Sequence, residues 1–156
     1  MRRVDSAISY LNLEQMQEKA PHYLSGGEKK RVSIADILAM EPEVLIFDEP
    51  MAALDPVNAR NVEDILQRLH EEGKTLLIAT HDVDFAWRFA DRIFVLADGK
   101  VIADGCPQKV FSDNAVMEQA HLKKPAMLVI WEALLLAGIV RKNGGIRSQP
   151  KNWLSG

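Results

Sequence analysis

Two adjacent carboxylates follow an apolar run in the first half of the chain. Asp48 and Glu49 come directly after Val44-Leu45-Ile46-Phe47. Because hard cations prefer oxygen ligands, one carboxylate could hold Mg²⁺ while the other orients and deprotonates an attacking water. The alternative is that the pair only caps the next turn. The residue types therefore allow hydrolytic phosphate chemistry without requiring it.

A second candidate group opens a helix. Its residues are Ser25, Gly26, Gly27 and Glu28, and the first and last have the S-x-x-E spacing of a capping box. Backbone amides at such a helix start point outward, and the two glycines let a phosphate approach them closely. The alternative is an ordinary capped loop, so this group alone does not identify a site.

A single imidazole is the third candidate. His81 follows a second apolar run, residues 75–79, and could hydrogen-bond a phosphate or a water. The alternative is a structural role, which is the commoner one for a lone histidine.

Alternating helix and strand patterns must position these residues. The apolar spacing predicts strands at 44–47 and 75–79, the first buried on both faces as in a parallel sheet. Asp98-Gly99 predicts a tight turn between two strands. Helices are predicted over 4–20, from 26 to near Pro42, from 56 to Gly73, around 85–89, after Pro107 and over 125–140.

This alternation predicts an α/β fold with a mostly parallel sheet flanked by helices. In such sheets, ligands gather at the carboxyl ends of the strands. Asp48, Glu49 and His81 all fall at such ends, which is the first indication that they share a site.

Composition narrows the function classes. The net charge is −3 with 26% charged residues, which argues against a non-specific nucleic-acid binder. The single cysteine, Cys106, suits a reducing compartment, and no signal peptide is expected after Met1. The longest apolar stretch, 126–140, is interrupted by Glu132 and is short for a bilayer span.

The order of four short runs resembles a known family. The runs LSGGE, VLIFDEP, AALD and ATHD resemble those of the ATP-binding cassette (ABC) ATPases over roughly residues 4–112. The resemblance implies a partial P-loop NTPase fold with part of the helical signature subdomain, and ATP and Mg²⁺ as cofactors.

The resemblance also implies roles by position. It makes residues 24–28 the signature motif, whose serine and glycine amides contact the γ-phosphate bound by the opposite subunit of a dimer. Residues 52–55 then match the D-loop, which couples the two sites. Asp48 ends the Walker B strand and faces Mg²⁺, Glu49 is the general base, and His81 is the switch histidine. Departures from the family pattern are Glu28 for glutamine, and Met51 and Ala53 in the turn before Asp55.

The phosphate loop expected of this family has the form G-x-x-x-x-G-K-[ST]. Gly73-Lys74-Thr75 fails because Arg68 stands where the first glycine belongs, and Gly99-Lys100 is followed by Val101. The chain is therefore expected to be the downstream half of such an ATPase, truncated, split or cut. Without a cradle for the β- and γ-phosphates, it is expected to be catalytically incompetent alone.

Two longer stretches of the sequence resemble one particular group within this family. Residues 24–50 and 98–113 look like ATPase subunits of energy-coupling-factor importers, especially those for cobalt or nickel. This implies a second ATPase subunit and a transmembrane transporter subunit as partners, membrane association only through those partners, and a place at the cytoplasmic face of the cell membrane. The predicted domains are an ATPase part (1–112), a helical extension (113–142) and a flexible tail (143–156). The apolar helix of the extension is either a core helix or a dimer contact.

Two other classes stay open. One is a fragment of a DNA-maintenance ABC-type ATPase, against which stand the net charge and the lack of flanking coiled-coil heptads. The other is a non-catalytic interaction module that retains the motifs as relics.

Overall fold

The computed structural model describes residues 2–140, which form two compact units that meet in the sequence between Thr80 and His81. The predicted tail at 143–156 lies outside the described residues, as does the end of the predicted extension. The predicted domain boundaries after 112 and 142 stay predictions.

The first unit contains three helices and a two-stranded parallel sheet. Its helices are α1 (Arg2–Tyr10), α2 (Gly26–Leu38) and α3 (Pro56–Glu71), with 3₁₀ turns at Glu14–Met16 and Pro21–Tyr23. Its strands are β1 (Val44–Asp48) and β2 (Thr75–Ala79), paired in parallel. The chain thus runs from β1 through α3 to β2, as the predicted alternation requires.

Buried aliphatic side chains hold this unit together. α3 turns Val62, Ile65, Leu66 and Leu69 inward, and it packs against β2 and α2. Residues of the first unit that complete the core are Ala7, Leu11, Leu13, Ile34, Ala35, Leu45 and Phe47.

Two sequence predictions for this unit were wrong. The predicted helix over 4–20 ends at Tyr10, because Asn12 takes a left-handed conformation (φ 53°) that a helix cannot continue through. The strand at 44–47 is not buried on both faces: Leu45 and Phe47 are buried, whereas Val44 is 57% and Ile46 is 71% exposed. Within the described residues of the unit, elements cover only one face of this sheet.

The second unit combines a hairpin with four helices. Strands β3 (Ile93–Ala97) and β4 (Lys100–Gly105) pair in antiparallel fashion, and Asp98 and Gly99 between them both have positive φ, which confirms the predicted turn. The helices are α4 (Val83–Phe89), α5 (Pro107–Phe111), α6 (Asn114–Gln119) and α7 (Ala126–Leu136).

The core of the second unit is a cluster to which most of its elements contribute. Its buried members are Trp87, Val95, Val110, Phe111, Met117 and Leu128. Helix α6 lies within the predicted helical extension, although the sequence indicated no separate bounds for it, and α7 is shorter than the predicted 125–140 because the chain turns left-handed at Gly138. No helix between residues 2 and 140 reaches the length and apolarity that crossing a membrane requires.

Candidate functional site

The parallel strands place the carboxylate pair at one end of the sheet. Asp48 is the last residue of β1, opposite Ala79 of β2. The amide of Glu49 donates to the carbonyl of Ala79 at 2.9 Å, which carries the pairing one residue further. The hydroxyl of Thr80 donates to Oε2 of Glu49 at 3.1 Å. The last residue of β2 therefore fixes the backbone of Glu49, and the residue after β2 fixes its side chain, while Asp48 is exposed beside it.

The turn after the carboxylates has an unusual backbone. Glu49 has φ 43° and Ala53 has φ 60°, the left-handed region that side chains with a Cβ seldom occupy. Two tight turns hold them, with the amide of Ala52 donating to the carbonyl of Glu49 and that of Leu54 donating to the carbonyl of Met51. Such conformations persist only where the surroundings enforce them, and they cluster at functional sites.

The start of α2 is the predicted capping box. The amide of Ser25 donates to Oε2 of Glu28 at 2.7 Å, and the amide of Glu28 donates to Oγ of Ser25 at 3.3 Å. The Ser25 amide, followed by the ammonium of Lys19 at 3.2 Å, holds the pKa of Glu28 below its ordinary value. Glu28 is therefore an anion with a structural task, and the amides left to meet a ligand at this end are those of Gly26 and Gly27.

The starts of α2 and α3 meet at one close contact. Gly27 is buried, and a Cβ added there would overlap the carboxamide of Asn58 and lie 2.8 Å from the Cβ of Asn58. The amide group of Asn58 in turn donates to the carboxylate of Asp55. The carboxylate of Asp55 also caps α3, because it accepts hydrogen bonds from the backbone amides of Val57 and Asn58. The backbone amide of Asn58 is the main reason that the pKa of Asp55 is lowered.

The structure therefore joins most of the predicted site residues in two groups within the first unit. Asp48 and Glu49 lie at the strand ends, and Ser25 to Glu28 lie beside Asp55 through the contact of Gly27 with Asn58. His81 follows β2 by one intervening residue and is the first residue of the second unit, so its place beside the carboxylates stays a prediction.

Two residues of this arrangement were missed from the sequence. Thr80 donates a hydrogen bond to Glu49. The sequence feature that could have indicated it is a hydroxyl residue directly after the second predicted strand. Asn58 positions Asp55 and contacts Gly27; only its spacing after the N-cap pointed to it. Two cavities of about 310 and 320 Å³ in the first unit do not have Asp48 or Glu49 in their linings.

Comparison with known proteins gives consistent matches. The sequence model described as ABC transporter matches residues 1–52. The chain is 45% identical over 136 residues to the energy-coupling factor transporter ATP-binding protein EcfA2 of Methanospirillum hungatei, covering 87% of this chain and 34% of that protein. It is 45% identical over 133 residues to EcfA of Methanocaldococcus jannaschii, covering 85% and 48%.

A solved structure extends the match to the fold. CbiO1 of Clostridium perfringens, part of the ABC transporter complex cbiONQ, aligns with a TM-score of 0.66 and 41% identity over 84% of this chain and 53% of that one. The chain spans about a third to a half of the length of the curated relatives it matches. The chain therefore carries part of an ABC transporter ATPase domain, in a mixed α/β fold with a parallel sheet.

Proposed function

We propose that this chain forms part of the ATP-hydrolysing subunit of an ABC importer. The observation that carries the proposal is the placement of Glu49. Its carboxylate stands at the carboxyl end of a parallel strand, on a left-handed backbone, and accepts a hydrogen bond from Thr80, the residue after the neighbouring strand. A general base needs a fixed direction toward its water, and this arrangement supplies one.

The neighbouring carboxylate suits a nucleotide-bound cation. Asp48 is exposed at the same strand end, and no cluster of three or more potential metal-ligating side chains occurs among the described residues. Magnesium commonly takes one or two carboxylates and completes its shell with water and phosphate oxygens. Asp48 fits that pattern, so it would hold the Mg²⁺ of Mg·ATP, and the ion would neutralise phosphate charge there.

The helix starts would serve the partner's nucleotide. The amides of Gly26 and Gly27, with the hydroxyl of Ser25, would contact the γ-phosphate bound by a second ATPase subunit. Asp55 would couple the two sites, since it shares Asn58 with Gly27. His81 would sense the γ-phosphate. The capping box supports this proposal by fixing where the helix begins.

The sequence of this chain also bears on whether it can hydrolyse ATP by itself. These 156 residues contain no G-x-x-x-x-G-K-[ST] run, so no phosphate-cradling loop accompanies Glu49. We therefore propose that the chain hydrolyses ATP only together with a segment that carries this loop, and that on its own it turns over no ATP.

The names of the relatives support a narrower assignment. EcfA proteins are energy-coupling factor ATP-binding proteins, and CbiO1 belongs to a cbiONQ complex. By extension, this chain would serve an energy-coupling-factor importer for cobalt or nickel. Its partners would be a second ATPase subunit and a transmembrane subunit, and it would lie at the cytoplasmic face of the membrane through them.

Complementation tests the proposal. The full chain is mixed with the phosphate-loop segment of an EcfA relative, and phosphate release from Mg·ATP is measured. Restored turnover should fall about 100-fold or more in Glu49→Gln, while Glu43→Gln, an exposed carboxylate ahead of β1, should leave it unchanged. Equal turnover in both variants would remove Glu49 from its role, and turnover by the chain alone would overturn the stated dependence on a second segment.

A further inference from the structure

One cavity of the first unit is lined mainly by polar and charged side chains. It lies where the segment after α1 meets α2 and α3. Its volume of about 310 Å³ is at the lower end of the range for small-molecule sites. The lining residues are Leu11, Asn12, Arg31, Asn61, Asp64, Ile65 and Arg68. The proposed hydrolysis of ATP uses none of them, so the cavity needs an account of its own.

Arg31 supplies this cavity with an incompletely hydrogen-bonded guanidinium group. Its Nη1 donates to the carbonyl of Leu11 over a long 3.5 Å. Its Nε is buried and has no hydrogen-bond partner among residues 2–140. An unsatisfied buried donor costs free energy, and an oxyanion can accept from Nε and a terminal nitrogen of the same guanidinium together. A small rotation of the guanidinium of Arg31 toward such a ligand would therefore complete its hydrogen bonds.

Arg68 brings a second guanidinium group to the same cavity. Its Nη2 donates to the carbonyl of Tyr10 at 2.9 Å, and its Cζ lies 4.5 Å from the centroid of the Tyr10 ring. These contacts hold the charge of Arg68 in place while using few of its N–H groups. A cavity of about 310 Å³ is about 8 Å across, less than the Debye length of about 10 Å at about 0.1 M salt, so both guanidinium charges act on one ligand.

The remaining polar groups of the lining indicate what else the ligand carries. Asp64 is exposed and forms no ion pair in the part of the chain that the structure describes. Its carboxylate would repel a bare polyanion, whereas it would accept a hydrogen bond from a hydroxyl or an amino group. The carboxamides of Asn12 and Asn61 can both donate and accept. Two guanidinium groups and one carboxylate therefore suit a molecule with a carboxylate beside a hydrogen-bond donor.

We propose that this cavity binds a small hydroxy- or amino-carboxylic acid. The carboxylate of the ligand lies against Arg31 and Arg68, and its hydroxyl or amino group donates to Asp64. Arg31 belongs to α2, whereas the other two residues belong to α3, so the ligand bridges the two helices whose starts meet at the contact of Gly27 with Asn58. Because only the folded chain brings these helices together, the bound acid also stabilises the first unit by mass action.

Titration of the full chain with L-malate and with L-glutamate, without ATP or Mg²⁺, tests the proposal. We expect saturable binding of at least one acid with a Kd of about 1 mM or below, together with a shift of the NMR signal of the Arg31 Nε–H group. Arg31→Gln should weaken this binding about 10-fold or more, because it removes a charge-assisted pair of hydrogen bonds. Arg60→Gln is the matched control, since Arg60 is exposed on α3 and does not line the cavity. It should leave the Kd unchanged.

A second variant keeps the test valid if Arg31→Gln fails to fold. Arg68 is exposed, and Arg68→Gln should also weaken binding while circular dichroism shows an intact fold. Absence of saturable binding by either acid would overturn the proposal. So would equal weakening by the cavity variants and by Arg60→Gln, which would indicate a non-specific charge effect.

Asp64→Asn tests the chemical class of the ligand. It should weaken the binding of malate and leave that of succinate, which lacks the hydroxyl group, nearly unchanged. Inorganic phosphate that binds as tightly as both acids would make this an unselective anion site and overturn the assignment to a hydroxy- or amino-carboxylic acid. Since no step of these assays uses ATP, their failure is distinguishable from failure of the Glu49 role.

Discussion

Gly26 and Gly27 are neighbours at the start of α2, yet a methyl group would meet different surroundings at each. A Cβ at Gly26 has nothing within 4 Å, whereas one at Gly27 overlaps the side chain of Asn58. Asn58 cannot simply rotate away, because its own Cβ lies 2.8 Å from the new atom. Gly27→Ala therefore requires α2 and α3 to separate, which would also disturb the bond from Asn58 to Asp55.

The two substitutions should change stability in opposite directions. Gly26→Ala gains helix propensity of up to about 1 kcal/mol, because alanine loses less backbone entropy than glycine. Gly27→Ala gains the same propensity but adds an overpacking cost of about 1–3 kcal/mol, and because the propensity gain cancels between the variants, Gly27→Ala should be less stable than Gly26→Ala by about 1–3 kcal/mol. With a urea dependence of about 1–3 kcal/mol per molar, the unfolding midpoints of the two variants should differ by about 1 M.

Urea unfolding of the full chain, followed by circular dichroism, measures this difference. Hydrogen exchange then locates it: peptides from α2 and from the start of α3 should lose protection in Gly27→Ala and keep it in Gly26→Ala. Equal midpoints for the two variants, or a loss of protection confined to the second unit, would refute the packing argument. The contact between Gly27 and Asn58 would then not be what joins the two helix starts.

Three smaller tests concern the turn, the base and the cap. Ala53→Gly removes a left-handed backbone penalty of about 1 kcal/mol but raises the conformational entropy of the unfolded chain. The free energy of unfolding, measured with urea, should therefore rise by between 0 and about 1 kcal/mol, whereas Ala52→Gly should lower it. Thr80→Val removes the donor to Glu49 and should lower complemented ATP turnover with the urea midpoint nearly unchanged; unaltered turnover would contradict it. The pKa of Glu28 is lowered chiefly by the backbone amide of Ser25. The stability that the ionised Glu28 side chain contributes to the fold is therefore present at neutral pH and is lost as the pH falls below about 4. Glu28→Gln should therefore flatten the acid loss of stability seen in urea midpoints, and an unchanged slope would oppose this assignment.

Local chemistry made several elements predictable. The capping box at Ser25, the cap at Asp55 and the Asp98-Gly99 turn each use side chains and backbone within four residues, and such signals survive in any surroundings. The parallel strands were also predictable, since apolar runs on either side of a helical pattern favour a strand–helix–strand unit.

The wrong predictions concern features that depend on the surrounding structure and not on the local sequence. Apolarity at Val44 and Ile46 indicated burial, but burial depends on what covers a face, and the described residues cover only the other one. The left-handed turn at Asn12 ended a helix whose apolar spacing continued beyond it. Likewise, an apolar helix over 126–136 has the same sequence pattern whether it is a core helix or a contact between chains.

The arrangement of the candidate site could not be predicted from the sequence, because its contacts join distant parts of the chain. Thr80 reaches Glu49 across 31 residues, and Asn58 reaches Gly27 from a different helix. Both contacts depend on α3. Its first turn brings Asp55 and Asn58 to the start of α2, and its end leads into the strand that carries Thr80 to Glu49. A change that shifts this helix should therefore disturb the helix starts and the strand-end carboxylate together, even though no residue is common to the two groups.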